Sequence, residues 1–241
     1  MNVYAIYKAK FIAQDWVNYF KGNALLRQPI AWEQGISVEA ALRGPLVRSL
    51  QRFQVGEQGD GLHLRQAAAR TLDTHYIAAI DLFVKEEQLH SRLLAGIIEG
   101  LGGSLLEQHW SDTCFVWLRR LMGLRMELLV LLLVEVIAQV YYKALHDGTN
   151  DAVLRSVFAQ IMQDEHGHVT FHCSYLRQSF SQLSPLARWS IYTGWRFLFM
   201  LVCCVFIYDH RSVLRAVGIT PRTCWRDCMQ AFQKMRIFTA A

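Results

Sequence analysis

The chain has 241 residues, 53% of them hydrophobic, with four prolines and a formal net charge of +5. That length allows one sizeable core with extensions, and the scarcity of proline favours helices. No basic stripe is interleaved with stacking aromatics, so nothing points to nucleic acid as a partner. Residues 1–25 lack a continuous apolar stretch, and no secretory signal is expected. The six cysteines, Cys114, Cys173, Cys203, Cys204, Cys224 and Cys228, form no CxxC pair. They read as buried thiols of a reducing, cytoplasmic compartment. Charge is uneven: residues 184–241 hold eight Lys/Arg and two Asp, whereas the rest of the chain is close to neutral.

In chain order, residues 1–44 form a lead-in with one amphipathic helix, Val3–Phe20, and a loop from Pro29 to Gly35. Pro45 suits the first turn of helix A, which is expected to run to about Thr71. Gly56, Gly59 and Gly61 flank Glu57 there. They mark either a kinked segment or close approach of a neighbour. Helix B covers about 73–101 and stops at Gly102-Gly103. Helix C ends near His146, and helix D runs from an N-cap at Asn150 to about Gln182. The short A–B and C–D connections make those pairs antiparallel. The B–C segment, 103–119, must travel back along the bundle as a crossing connection or a short helix, making B and C parallel.

Ser184-Pro185 opens a further helix. Its uncharged apolar run, Phe197–Tyr208, is 12 residues and follows Arg196, short of the ~20 needed to cross a bilayer. It is expected to pack on the bundle. Two short helices follow, about 210–217 and 221–235. The second is basic and amphipathic, covering the bundle or touching a membrane surface. The expected domains are 1–44, the four-helix part 45–183, and 184–241.

Two copies of Glu-x-x-His carry the chemistry: Glu87 with His90, and Glu165 with His168. A lone helical glutamate lies 30 residues before each, Glu57 and Glu135. Residues three apart share a helix face, so each pair can hold one metal, and four antiparallel helices bring all six groups around one point. The flanking positions are apolar at heptad spacing: Tyr76, Ile80, Phe83, Leu94 and Ile97 around the first pair, and Leu154, Phe158, Ile161 and Leu176 around the second. Charge in such a seam is costly unless coordinated or paired. Mixed carboxylate and imidazole ligation suits two iron ions, or manganese with iron, better than structural zinc.

Glu86 and Asp164 each precede the Glu of a pair. An acid there can accept a proton from the other helix's histidine and fix its tautomer, or simply face solvent. His172, one turn beyond His168, is a further ligand, a proton donor or a core histidine. Tyr142, on the face of Glu135, is a redox-active neighbour or a packing residue. These two are the catalytic candidates. His166 points away from the seam, and Asp60 is the alternative to Glu57.

The order E…ExxH…E…DExxH resembles the ferritin-like di-iron carboxylate superfamily over about residues 45–182. The resemblance implies an all-α fold: a ferritin-like four-helix bundle, here with additional N- and C-terminal helices. It also implies two irons that react with O2 or peroxide. The leading expectation is an O2-activating oxygenase or oxidase with an electron donor and an apolar small-molecule substrate. The alternatives are iron or peroxide handling, and a non-enzymatic module docking on a membrane or partner. Peripheral membrane contact is expected, if anywhere, through the basic C-terminal segment.

Overall fold

A computed structural model of the chain describes residues 12–107 and 123–235. Among these residues the regular structure is helical throughout. The helices are α1 (Ala13–Leu26), α2 (Ala40–Glu57), α3 (Leu62–Ala69), α4 (Thr74–Gly100), α5 (Gly123–Asp147), α6 (Ala152–Phe180), α7 (Pro185–Asp209), α8 (Arg211–Ala216) and α9 (Pro221–Lys234). A 3-10 turn, Trp32–Gln34, lies between α1 and α2.

Side-chain pairs give the directions. Arg43 reaches the carbonyl of Leu101 and Gln54 reaches Ser91, so α2 and α4 are antiparallel. Ser49 meets Tyr141 and, past the break after α2, His63 meets Glu127, so α5 also runs against α2 and α3. Tyr76 stacks on Tyr175, Phe83 meets His172 edge to face, and His90 meets Asp164, so α6 opposes α4. It follows that α4 and α5 are parallel, as the connection argument requires. Residues 108–122, which hold Cys114 and most of the expected crossing segment, lie outside the described residues. The arrangement is a ferritin-like four-helix bundle of α2/α3, α4, α5 and α6.

The expected helix A differs in two ways. It starts at Ala40, with Pro45 inside it, where the missing N–H costs one bond near the helix start. It also stops at Glu57 instead of Thr71. Gly61 adopts φ +65°, and a side chain there would meet Val84 at 2.6 Å; that requires glycine and ends the continuous helix. Gly56 and Gly59 face open space. Asp60 accepts the Leu62 N–H and is exposed, so it belongs to the turn and not to the bundle centre. Helix D is capped by Asp151, one residue later than expected, through the Leu154 N–H.

The first described helix begins at Ala13 and extends six residues past Phe20. It lies in the groove between α4 and α6, with Trp16 and Phe20 against Phe171. At the other side, α7 packs on α5 through Trp195, whose Nε1 donates to the Leu129 carbonyl at 2.8 Å. Phe232 of α9 covers Trp195 and Phe199. Cys173, Cys203, Cys224 and Cys228 are buried free thiols, but Cys204 is exposed, because its turn of α7 faces outward.

Candidate metal centre

The six residues of the repeated motif come together inside the bundle. Glu57 ends α2, Glu87 and His90 lie on α4, Glu135 on α5, and Glu165 and His168 on α6. One ligating atom from each of Glu87, His90, Glu165 and His168 lies within 4.8 Å of the others. Glu57 is buried beside Glu87. Glu135 is 3.5 Å from His168 Nδ1. All are buried except Glu87, whose side chain is 20% exposed.

Both imidazoles are held by their outer nitrogens. His90 Nε2 is 3.1 Å from Asp164 Oδ2, and His168 Nε2 is 3.0 Å from Glu86 Oε2. Each acid therefore serves the histidine of the opposite helix. A carboxylate accepting at Nε2 places the proton there and leaves Nδ1 directed at the cage. Glu87 Oε1, His90 Nδ1, Glu135 Oε2, Glu165 Oε2 and His168 Nδ1 are buried without a hydrogen-bond partner. His168 Nδ1 does come within 2.9 Å of Glu87 Oε1. The direction is wrong for a hydrogen bond, so this is charge proximity only. Other buried polar atoms also lack hydrogen-bond partners, but these five, from ligand-type side chains, converge on one point, as a group able to hold a cation does.

The electrostatics agree. Burial, then the neighbouring Glu87 and Glu165, push Glu57 well above the usual carboxylate range. Burial, then Glu165 and Glu87, do the same to Glu135. Burial opposes charge on His90, but contacts with Asp164 and Glu165 outweigh it and lift the imidazole to about 9. Glu165 is held low against its burial by His168 and His90. Without metal, protons must balance this cage; divalent cations would take their place. Four carboxyls and two imidazoles, with no thiol, are a donor set able to hold metal ions that take oxygen and nitrogen ligands.

Sequence reasoning missed two residues. Asn23 Nδ2 donates to Glu86 Oε1 at 2.9 Å and to Asp164 Oδ1 at 2.6 Å. A single nitrogen of Arg27, Nη2, bridges Glu86 Oε1 and Asp164 Oδ2. His90 and then Arg27 hold Asp164 below the usual range despite its burial. Asn23 lies on α1, and Arg27 is the residue that caps its C-terminal end. Gly167 leaves room for Tyr19 of α1 against α6: a Cβ there would lie 2.4 Å from the Tyr19 hydroxyl. A signal was present, since Trp16, Phe20, Asn23 and Arg27 share one helix face. Polar residues continuing an apolar stripe mark a polar target beneath it.

The remaining candidates flank the cage. Tyr142 is fully buried with an unpartnered hydroxyl. Burial, then Glu57, raise its phenol well above the ordinary value. His172 is fully buried with both ring nitrogens unpartnered, its ring edge-on to Phe83 at 4.7 Å. Burial, then His168, lower it to about 3, so it is a neutral imidazole. His166 is exposed.

No protein-family model matches this chain, and no curated protein matches it. A solved structure does: protein 19 with aldehyde deformylating oxidase activity from Synechococcus. The match covers 84% of this chain and 93% of that one, with a TM-score of 0.64 and 18% identity. At that identity it shows a shared fold.

Proposed function

We propose that this protein is a di-iron oxidoreductase, an oxygenase or oxidase that activates O2 toward an apolar organic substrate. The observation that carries the reading is the set of five buried, partnerless ligating atoms converging from α4, α5 and α6, with Glu57 of α2 beside them. In this reading Glu57, Glu87, His90, Glu135, Glu165 and His168 hold the irons. Bound ferrous iron would supply the electrons and coordination positions that reduce O2. Glu86 and Asp164 orient the two imidazoles, and Asn23 and Arg27 hold those acids. Phe20, Phe83 and Phe171 keep bulk water from the cage. The unpartnered Tyr142 hydroxyl and His172 nitrogens are the groups able to exchange a proton or meet a polar atom of the substrate.

The neighbour's aldehyde deformylating oxidase activity makes aldehydes the first substrates to try. The test loads the protein anaerobically with Fe(II), measures iron per chain, then adds O2, a reductant and the aldehyde and identifies products. Two irons per chain and substrate-dependent O2 consumption are expected. A metal-free protein, or full iron occupancy in both Glu135→Ala and His168→Ala, would sink the assignment. Accumulation of a ferric mineral in a large multimer would instead favour iron storage.

A further inference from the structure

We propose that the outward face of α7 docks on an anionic phospholipid surface. This does not rest on the metal reading. The helix has 25 residues, about 37 Å at the helical rise. Trp195, Phe199, Cys203 and Phe206 turn inward and are buried. The opposite side carries large apolar side chains in the open: Leu186 is 72% exposed, Trp189 64%, Phe197 59%, Leu201 49%, Val205 46% and Tyr208 69%. Their spacing of three, four or eight residues keeps them on one stripe, with the small exposed Ser190, Thr193 and Gly194 in the gap between Trp189 and Phe197. Only 22% of the most apolar stretch of this helix is buried. Isolated exposed hydrophobics need no explanation, but six large ones aligned along one helix do.

Charge selects the occupant. The one acid of α7, Asp209, is taken by Arg52 at 3.0 Å. The face therefore carries arginines and no carboxylate: Arg196 stands at its edge half-way along, and Arg211 lies 4.2 Å over the Tyr208 ring at its end. Arg215 follows one turn later, exposed. A second copy of this chain would present the same uncompensated guanidinium groups with no acid to receive them, which disfavours self-pairing. An anionic bilayer supplies both needs. An interfacial helix sinks its apolar face ~5–10 Å into the headgroup boundary. Trp189 and Tyr208, near the two ends, have the amphipathic rings favoured at that depth. Arg196 can reach the phosphates from the edge of the stripe, as long basic side chains do. The helix lies in the surface and does not span it, because the bundle occupies its other side.

The full-length protein is mixed with vesicles of phosphatidylcholine alone, or of phosphatidylcholine with phosphatidylglycerol, and floated. Binding is expected to the anionic vesicles only, and to weaken with salt. Phe197→Glu should lower partitioning about tenfold or more, since it removes apolar area and adds repulsion. Arg211→Gln and Arg215→Gln should each lower it about fivefold. Position 197 is exposed, so helix content by circular dichroism should be unchanged. Independently, an environment-sensitive dye on the exposed Cys204, in a Cys114→Ser background, should shift to the blue with anionic vesicles and not with neutral ones. Three results would each overturn the proposal: no flotation with anionic vesicles, equal binding to both compositions, or a dimer in vesicle-free buffer that Phe197→Glu dissociates.

Discussion

Two helices of this protein have the same length, 25 residues, and near-equal hydropathy, yet α5 has 67% of its most apolar stretch buried and α7 has 22%. Composition states how much surface a helix needs to cover; the fold decides what covers it. The second difference lies in the polar residues. On α5, Glu127 is met by His63 with both oxygens at 3.0 Å, and Tyr141 by Ser49 at 2.6 Å. Glu135 Oε2, buried among the same leucines, has no hydrogen-bond partner. The Tyr142 hydroxyl, two turns on, is also unmatched; unmatched polar groups in so apolar a helix are a cost the fold tolerates for a site. On α7 nothing polar is buried in this way, and its unmet need is for an apolar surface outside the molecule.

The largest expected effect comes from making α5 as uninterrupted as α7. Glu135→Leu should lower affinity for ferrous iron by about a hundredfold or more, read by anaerobic titration. In chelator the same variant should be more stable than the parent by ~1–3 kcal/mol in urea, because a buried, poorly satisfied acid is gone. Loss of stability together with unchanged iron affinity would show Glu135 to be a structural group.

Arg27 tests whether the polar centre reaches beyond the four bundle helices. Arg27→Met leaves Glu86 and Asp164 facing each other without their bridging cation, at a cost of ~3 kcal/mol. Iron affinity should fall about 10- to 100-fold through the freed imidazoles. One nitrogen makes both contacts, so Arg27→Lys should recover much of each loss. Equal effects of Lys and Met would mean that packing of the stem, not the bridge, is what matters.

The meeting of the six motif residues was legible because its rules are local. Glu-x-x-His shares a helix face whatever surrounds it, and the apolar seam around it fixed which face turns inward. Arg27 was not legible because its targets lie 59 and 137 residues away, a separation set by packing of α1. The break after Glu57 hung on one backbone angle at Gly61 and on the Val84 side chain facing it; the glycines announced a disturbance but not its form. The exposure of α7 was illegible for the same kind of reason. Its apolar residues encircle the helix, and periodicity cannot choose a side where every side is apolar.

His172 gives a smaller effect with a pH signature. Its imidazole is lowered to about 3 by burial, then by His168, against about 6.5 in the unfolded chain. Above pH 6.5 both states are neutral and the group contributes nothing. Below it the unfolded chain binds a proton that the fold refuses, so stability falls as pH drops toward 3, by up to a few kcal/mol. His172→Phe should flatten the fall in Tm between about pH 6.5 and 5. An unchanged slope would mean that His172 is charged or solvated in the fold.

The smallest effect, at Leu201, separates the two helices most directly when it is set beside the same change at Leu132. Leu132 of α5 is fully buried, whereas Leu201 of α7 is 49% exposed. Leu132→Ala should cost ~2–5 kcal/mol, the transfer term plus a cavity that the close-packed bundle cannot collapse. Leu201→Ala opens no cavity, and its cost in urea should stay within ~0.5 kcal/mol. The comparison is informative because the two substitutions delete the same atoms from helices of the same length and near-equal hydropathy. If a second copy covered α7, Leu201→Ala would carry a larger cost that grows with protein concentration, since association stabilises the folded state by mass action. If α7 faces water until it meets lipid, the cost is small and independent of concentration, and it becomes measurable only once anionic vesicles are added.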